Sequence, residues 1–422
     1  MLQTLLLIVI FSSLLKQTSF FKSAEIPWLY LFALLIIKSF AGYLSFAYHQ
    51  YYFAGGDGAI YLSGGKDLIR FSGNNPWVYI QLFFNMHRGI PEWESVYNQI
   101  IYWDSNSGFN VINDNRNAIR INSIISFFSF NNIIAHLLIL NFLSIIGLTA
   151  LYRSFKILLT NIPPTMLFVA IYLSPSILFW TSGILKESHS IFILGMYVFF
   201  FVKFLDKYNW KDGLFLLLFA ALLLLARSYI AGILFAVSTF VFIIHVFKVK
   251  KIQYHLLILA LGVSLFLFAL SILNIEAFKI IQAKQQAFNL IGRSANSYFE
   301  LSELKKPIDL LLYLPEALLN VFIQPQLFSF KSFLFVFPII ENIDILFFCA
   351  LALWYRKKPP KESVLILLAL FLVYFLSSWL IGISIPVQGA ISRYKAISQI
   401  FLLLFIFSFI DWDRLRKNYF AE

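Results

Sequence analysis

Residues 363–383 read SVLILLALFLVYFLSSWLIGI, an apolar run without one charged side chain. A transmembrane helix needs about 20 such residues to cross roughly 30 Å of hydrocarbon. Backbone N–H and C=O groups meet no water there, so a run of this kind is satisfied as a helix. Outward from this stretch the pattern recurs. Apolar runs read as spans at 2–15, 26–48, 132–152, 164–182, 189–203, 213–226, 229–247, 255–274, 336–355, 363–383 and 394–410. The 422-residue chain is 60 % hydrophobic and 13 % charged, against roughly half and a quarter in soluble domains. That balance excludes an ordinary cytosolic globule, a disordered chain and a secreted disulfide scaffold. The single cysteine, Cys349, allows no intramolecular disulfide. The expected fold is an all-α polytopic membrane protein with about 11 transmembrane helices, in a range of about 10–12. Residues 1–422 read as one integral membrane domain. The first run has no preceding cation and no small-residue cleavage site, so it reads as an uncleaved helix.

The net charge of +12 sits in short clusters between apolar runs. No basic face with interleaved aromatics accompanies them, which argues against nucleic acid. Lysine and arginine favour cytoplasmic loops. With Lys16 and Lys22 inside, the alternate loops carry Arg153 and Lys156; Lys203, Lys207 and Lys211; Lys248, Lys250 and Lys251; Arg356, Lys357, Lys358 and Lys361; and finally Arg414, Arg416 and Lys417. This alternation puts the N-terminus outside and the C-terminus in the cytoplasm. The weakest crossing is 213–226, a short run that ends at Arg227. Two long connections, 49–131 and 275–335, fall on the outer side. The first is rich in Asn, Asp, Tyr and Trp and reads as a folded cap. Within it, residues 117–130 space apolar side chains at 121, 124, 125 and 128, an amphipathic helix along the interface. Residues 277–292 read the same way.

Ionisable groups in or beside a bilayer are costly and therefore mark function by default. Residues 51–61 set Asp57 among Gly55, Gly56 and Gly58. An acid there can serve as general base on a sugar hydroxyl or hold a divalent ion; the alternative is a glycine-rich turn with Asp57 as helix N-cap. Residues 174–189 pack Lys186, Glu187, serines and a histidine into a short connection between apolar runs. A lysine there can bind phosphate as a point charge, or snorkel to the interface. Arg227 ends a span and has the same two readings. Arg393 and Lys395 lie outside, against the positive-inside bias, so a phosphate or a loop carboxylate should hold them. Arg293, in Gly292-Arg293-Ser294-Ala295-Asn296-Ser297-Tyr298 with the polar pair Gln324 and Gln326, is a weaker candidate. Lys38 is a mid-span cation expected to pair with a carboxylate across the bundle. The six histidines form no HExxH pair, and no Walker A loop, dinucleotide fingerprint or GxSxG elbow occurs.

One acid and several cations at separate span ends form the minimal set for an anionic lipid-linked donor: cations for the phosphate, an acid for the acceptor hydroxyl. On the Gly55-Gly56-Asp57-Gly58 segment, the Phe179–Glu187 hairpin and the late Arg393-Tyr394, the chain resembles polyprenyl-dependent glycosyltransferases of the GT-C type and the membrane polymerases of O-antigen and exopolysaccharide assembly. The resemblance implies Asp57 as catalytic base and Arg393 as donor-phosphate arginine. It implies polyprenyl-phosphate-linked sugar donor, glycan acceptor, membrane lipids and polysaccharide-assembly proteins as partners. No cofactor is called for beyond a divalent cation at Asp57. The expected location is a bacterial inner membrane, with chemistry on its non-cytoplasmic face. A flippase of lipid-linked oligosaccharide and a non-catalytic assembly subunit are the competing expectations.

Overall fold

A computed structural model describes residues 2–420 except 53–54, 74, 87–88, 104–112, 131, 250, 273–275 and 326–334. Phe53 and Ala54 of the glycine-rich segment, Lys250, Gln326 and part of each long connection therefore lie outside the described residues. The described chain is helical, with isolated bridges but no strand. Seven helices are long and apolar enough to cross a membrane: Trp28–Tyr52, Ile133–Leu158, Lys186–Lys207, Ser228–Val246, Val336–Trp354, Lys361–Ser384 and Gln388–Phe407. The protein is thus a multi-pass helical membrane protein. The four other expected spans stand outside this set, three as continuous helices and one broken into pieces. Leu2–Gln17 is a shorter apolar helix. Residues 164–180 form the helix Pro164–Phe168, a π-turn at Val169–Leu173 and the helix Pro175–Trp180. Pro175 has no N–H to donate, which ends the run and starts the next helix. Trp210–Ala226 is a helix of 17 residues, and Ile252–Ile272 is a helix of 21 residues.

The chain forms two compact units. The first comprises residues 1–153, 177–200 and 214–228; the second comprises 154–176, 201–213 and 229–422. In the first, small residues let helix backbones approach. A Cβ on Gly195 would lie 2.1 Å from the Gly147 carbonyl oxygen, and one on Gly147 would lie 2.3 Å from that of Ile191. Small residues at helix interfaces are the usual device where lipid removes the hydrophobic drive for association. Asp57–Phe71 packs on Asp114–Ser129 in the same manner, because a Cβ on Gly65 would stand 2.7 Å from Ser123 N.

The helix expected over residues 117–130 runs from Asp114 to Ser129. Its buried face carries Asn117, Asn122, Ser123, Ser126 and Ser129, while Ile124, Phe127 and Phe128 are exposed. Close glycine–serine packing requires small side chains at the contact, while Ile119 and Ile125 fill the core on either side of it. Buried His136 joins Asn122 Oδ1 at 2.8 Å and Ser129 Oγ at 3.1 Å, satisfying both ring nitrogens.

In the second unit, Gln388–Phe407 is the most enclosed spanning helix, and Val364–Ser384 packs beside it. Leu314–Ile323 lies close on Val364–Ser384, since a Cβ on Gly382 would collide with the Ala317 carbonyl. Ala277–Gly292 has the bounds read from sequence. Gln285 anchors it by donating to the carbonyls of Ile383 (2.8 Å) and Ser302 (3.0 Å) and accepting from Leu304 N (3.0 Å).

Gly65→Leu is expected to lower unfolding free energy by about 1–3 kcal/mol through overpacking. Gly232→Ala, at a helical glycine whose added Cβ meets nothing within 4 Å, is expected to raise it by roughly 0.5–1 kcal/mol. Unfolding in detergent micelles checks both signs.

Candidate functional site

The first unit collects a charged cluster at helix ends. Asn113 caps Asp114–Ser129, its Oδ1 accepting from the N–H groups of Asn115 (3.0 Å) and Arg116 (3.1 Å). Asp114 thereby falls in the first turn, where the helix dipole favours an acid. Lys186 and Glu187 open the helix Lys186–Lys207. Arg227 follows Trp210–Ala226, and Asn117 Nδ2 fixes that end by donating to the Leu225 carbonyl at 2.8 Å.

These residues meet. Lys186 Nζ lies 2.8 Å from Asp114 Oδ1, and an Arg227 guanidinium nitrogen lies 3.7 Å from Asp114 Oδ2. Arg227 also donates to Glu187. Lys186 stands over the Tyr61 ring at 5.6 Å, and the Tyr61 hydroxyl donates to Asn115 Oδ1 at 2.9 Å. The side chains of Lys186, Glu187 and Arg227 are at most 7 % exposed, whereas that of Asp114 is 34 % exposed. Two cations and two carboxylates balance, and Asp114 is the member that reaches outward. His189, one turn along from Lys186, is buried among the same charges; Arg227, Lys186 and Asp114 all act on its ring. Neither ring nitrogen has a hydrogen-bond partner within the described residues.

Asp57 is the first residue of Asp57–Phe71. The N-cap is Gly56, in extended conformation, rather than Asp57. Half-buried Asp57 belongs to the same locality: a Cβ on the next residue, Gly58, would lie 3.0 Å from the Ile184 carbonyl, two residues before Lys186. A second cation pair flanks the cluster's helix. Arg116 and Arg120 both lie 5.4 Å from the Trp103 ring, and Arg120 donates to Asn117 Oδ1 at 2.9 Å. Burial and then the Arg116 charge push Arg120 down to about 10, which leaves it charged at neutral pH.

Lys38 is fully buried, and its ammonium donates to Thr181 Oγ1 at 2.6 Å. It has no ion pair among the described residues, so the expected carboxylate partner is replaced by a hydroxyl. Lys38 also reaches the Ile177 carbonyl at 3.4 Å, and Asn141 donates to the Ser182 carbonyl at 3.0 Å.

Arg293, Arg393 and Lys395 belong to the second unit. The 292–298 and 383–395 segments meet there: Phe299 N donates to the Pro386 carbonyl at 2.9 Å and Gln388 N to that of Ser297 at 3.1 Å. Arg293 is exposed, and Arg393 is half-buried beside the Tyr394 ring. Lys395 is wholly buried rather than displayed outside. Its ammonium donates at 2.9 Å to the carbonyls of Val321 and Gln324 and to Asn342 Oδ1. An ammonium has three N–H donors, so none remains for a phosphate.

Sequence reasoning missed Asp114 and Glu341, and it placed His189 in the polar connection without a role of its own. Glu341 sits inside the apolar helix Val336–Trp354 and is 1 % exposed, a signal that was available. Asp114 gave no comparable signal, because its partners come from distant parts of the chain. Among the described residues, no group of three or more His, Cys, Asp or Glu side chains is placed to hold a metal ion. Comparison with protein-family models, with curated proteins and with solved structures finds no match.

Glu187→Ala removes the acid that Arg227 meets in the interior and is expected to cost about 3–5 kcal/mol of stability. The double change Glu187→Met, Arg227→Met should recover at least half of that loss. Denaturation of both variants in detergent checks the difference.

Proposed function

We propose that the chain is a bacterial inner-membrane glycan-assembly enzyme that transfers or polymerises sugars from a polyprenyl-phosphate-linked donor on the non-cytoplasmic face. The observation that carries this reading is the pairing of two buried cations, Lys186 and Arg227, with the partly exposed Asp114. A donor phosphate competes with the Asp114 carboxylate for the same cations, since both are planar or tetrahedral oxyanions with charge-assisted acceptors. Asp57 then takes the proton from an acceptor hydroxyl. The freed oxygen attacks the anomeric carbon, the bond from that carbon to the phosphate oxygen breaks, and the departing phosphate carries its electron pair to Lys186 and Arg227. Charge developing on the leaving oxygen is met by cations already fixed in place, which avoids reorganisation at the moment of reaction.

Purified protein in liposomes with an undecaprenyl-diphosphate-linked labelled sugar tests this. Asp57→Asn is expected to lower transfer about 10²–10⁴-fold with normal membrane insertion, the range associated with loss of a general base. Lys186→Met should also abolish transfer. Normal glycan from both variants refutes the assignment.

The buried Lys38, Glu341 and Lys395 in apolar helices favour a second reading, a flippase of lipid-linked oligosaccharide, because ionisable groups within spans mark transport paths. Net translocation without sugar transfer in the same liposomes selects it.

A further inference from the structure

The second unit contains a cavity of about 350 Å³ among four helices. Val321, Phe322 and Ile323 come from Leu314–Ile323; Asn342, Ile345 and Leu346 from Val336–Trp354; Tyr374 from Val364–Ser384; and Gln399 from Gln388–Phe407. Clefts between bundle helices with apolar walls and a few convergent polar groups are the usual form of small-molecule sites. At about 30 Å³ per water-sized group, the space holds about a dozen non-hydrogen atoms.

Its polarity is graded. Phe322, Ile323 and Leu346 are 44 %, 48 % and 61 % exposed, whereas Asn342, Tyr374 and Gln399 are buried. The mouth is therefore apolar and turned to lipid, and the depth is polar. Both buried amides are tied to charged groups behind them. Asn342 Oδ1 accepts from Lys395 at 2.9 Å. Gln399 directs its amide nitrogen to Glu341, 3.2 and 2.6 Å from the two carboxylate oxygens. That orientation leaves Gln399 Oε1 as an acceptor. Ser174 also donates to Glu341. With a lysine on one amide and a glutamate on the other, the depth of the cavity carries opposed charges that offset, and a charged occupant gains nothing from either sign.

We propose that this cavity binds a hydroxyl-bearing membrane lipid, its uncharged hydroxyl inward on Gln399 and Asn342 and its hydrocarbon chain leaving past Phe322, Ile323 and Leu346 into the bilayer. The hydroxyl meets the Gln399 and Asn342 amides at the depth of the cavity. The chain covers side chains whose exposed surface already faces hydrocarbon. The site is independent of the charged cluster in the first unit and of the transferase reading.

Photolabelling of the full-length protein in nanodiscs with a diazirine-bearing dodecanol tests the proposal. Saturable labelling of residues 321–323 and 342–346 is expected, with the alkane probe of the same length labelling them weakly and without saturation. Leu346→Trp, at the lipid-facing mouth where folding tolerates bulk, should abolish saturable labelling. Gln399→Leu should weaken it about fivefold, the effect of one lost hydrogen bond. Unlabelled undecaprenol and dioleoylglycerol are competed separately, and the stronger competitor identifies the lipid class. Equal labelling by the alkane, tighter labelling by the matching fatty acid, labelling spread over other lipid-facing helices, or competition by neither lipid overturns the proposal. Unchanged labelling in Leu346→Trp does so as well.

Discussion

A charge withdrawn from water into an apolar helix bundle must be answered at close range, and this requirement organises the interior. The effective cost of burying an ion is several kcal/mol after relaxation. The protein meets it in three ways. Arg227 and Lys186 are answered by carboxylates from other helices. Lys395 is answered by two carbonyls and an amide oxygen. Lys38 is answered by a threonine hydroxyl. The last two solutions satisfy the hydrogen bonds of the ammonium with neutral oxygens. The first is charge-balanced, and it alone keeps a member, Asp114, within reach of outside groups.

That difference separates fixed cations from usable ones. Lys395 has no donor left for a ligand, and its role is to hold Leu314–Ile323 and Val336–Trp354 against its own helix. Lys186 and Arg227 share the Asp114 carboxylate, whose place the donor phosphate takes in the proposed reaction. The same logic distinguishes the cavity of the second unit, whose buried amides are anchored from behind by Glu341 and Lys395 and turned to the space in front. Anchoring removes much of the rotational freedom an amide would lose on binding, so a ligand meets donors and acceptors already oriented.

Close packing supplies the precision these sites need. Helix pairs approach through Gly147 with Gly195 and through Gly65 with Ser123. Without such approach the short polar side chains of Asp114–Ser129 would not reach their partners. Asn122 meets His136, and Asn117 meets the carbonyl of Leu225, only because the backbones lie near one another. Ile124, Phe127 and Phe128 of that helix remain exposed.

The sequence by itself determined the class of the fold and the identity of most unusual charges. Long apolar runs with few charges admit only helices in hydrocarbon, so the helices around 28–52, 133–158, 228–246 and 364–384 were legible from composition and length. Lys186, Glu187 and Arg227 stood out because each interrupts or borders an apolar run. Tertiary structure alone decided which groups neutralise one another: that Asp114, seventy-odd residues before Lys186, is its partner, that Lys38 finds Thr181, and that Lys395 turns inward. It also decided that residues 164–180 break into shorter pieces at a π-turn and Pro175. Span patterns are local, set by transfer of each residue into lipid. Charge pairing depends on distances between helices, and those are fixed by glycine and serine contacts whose partners no local pattern specifies.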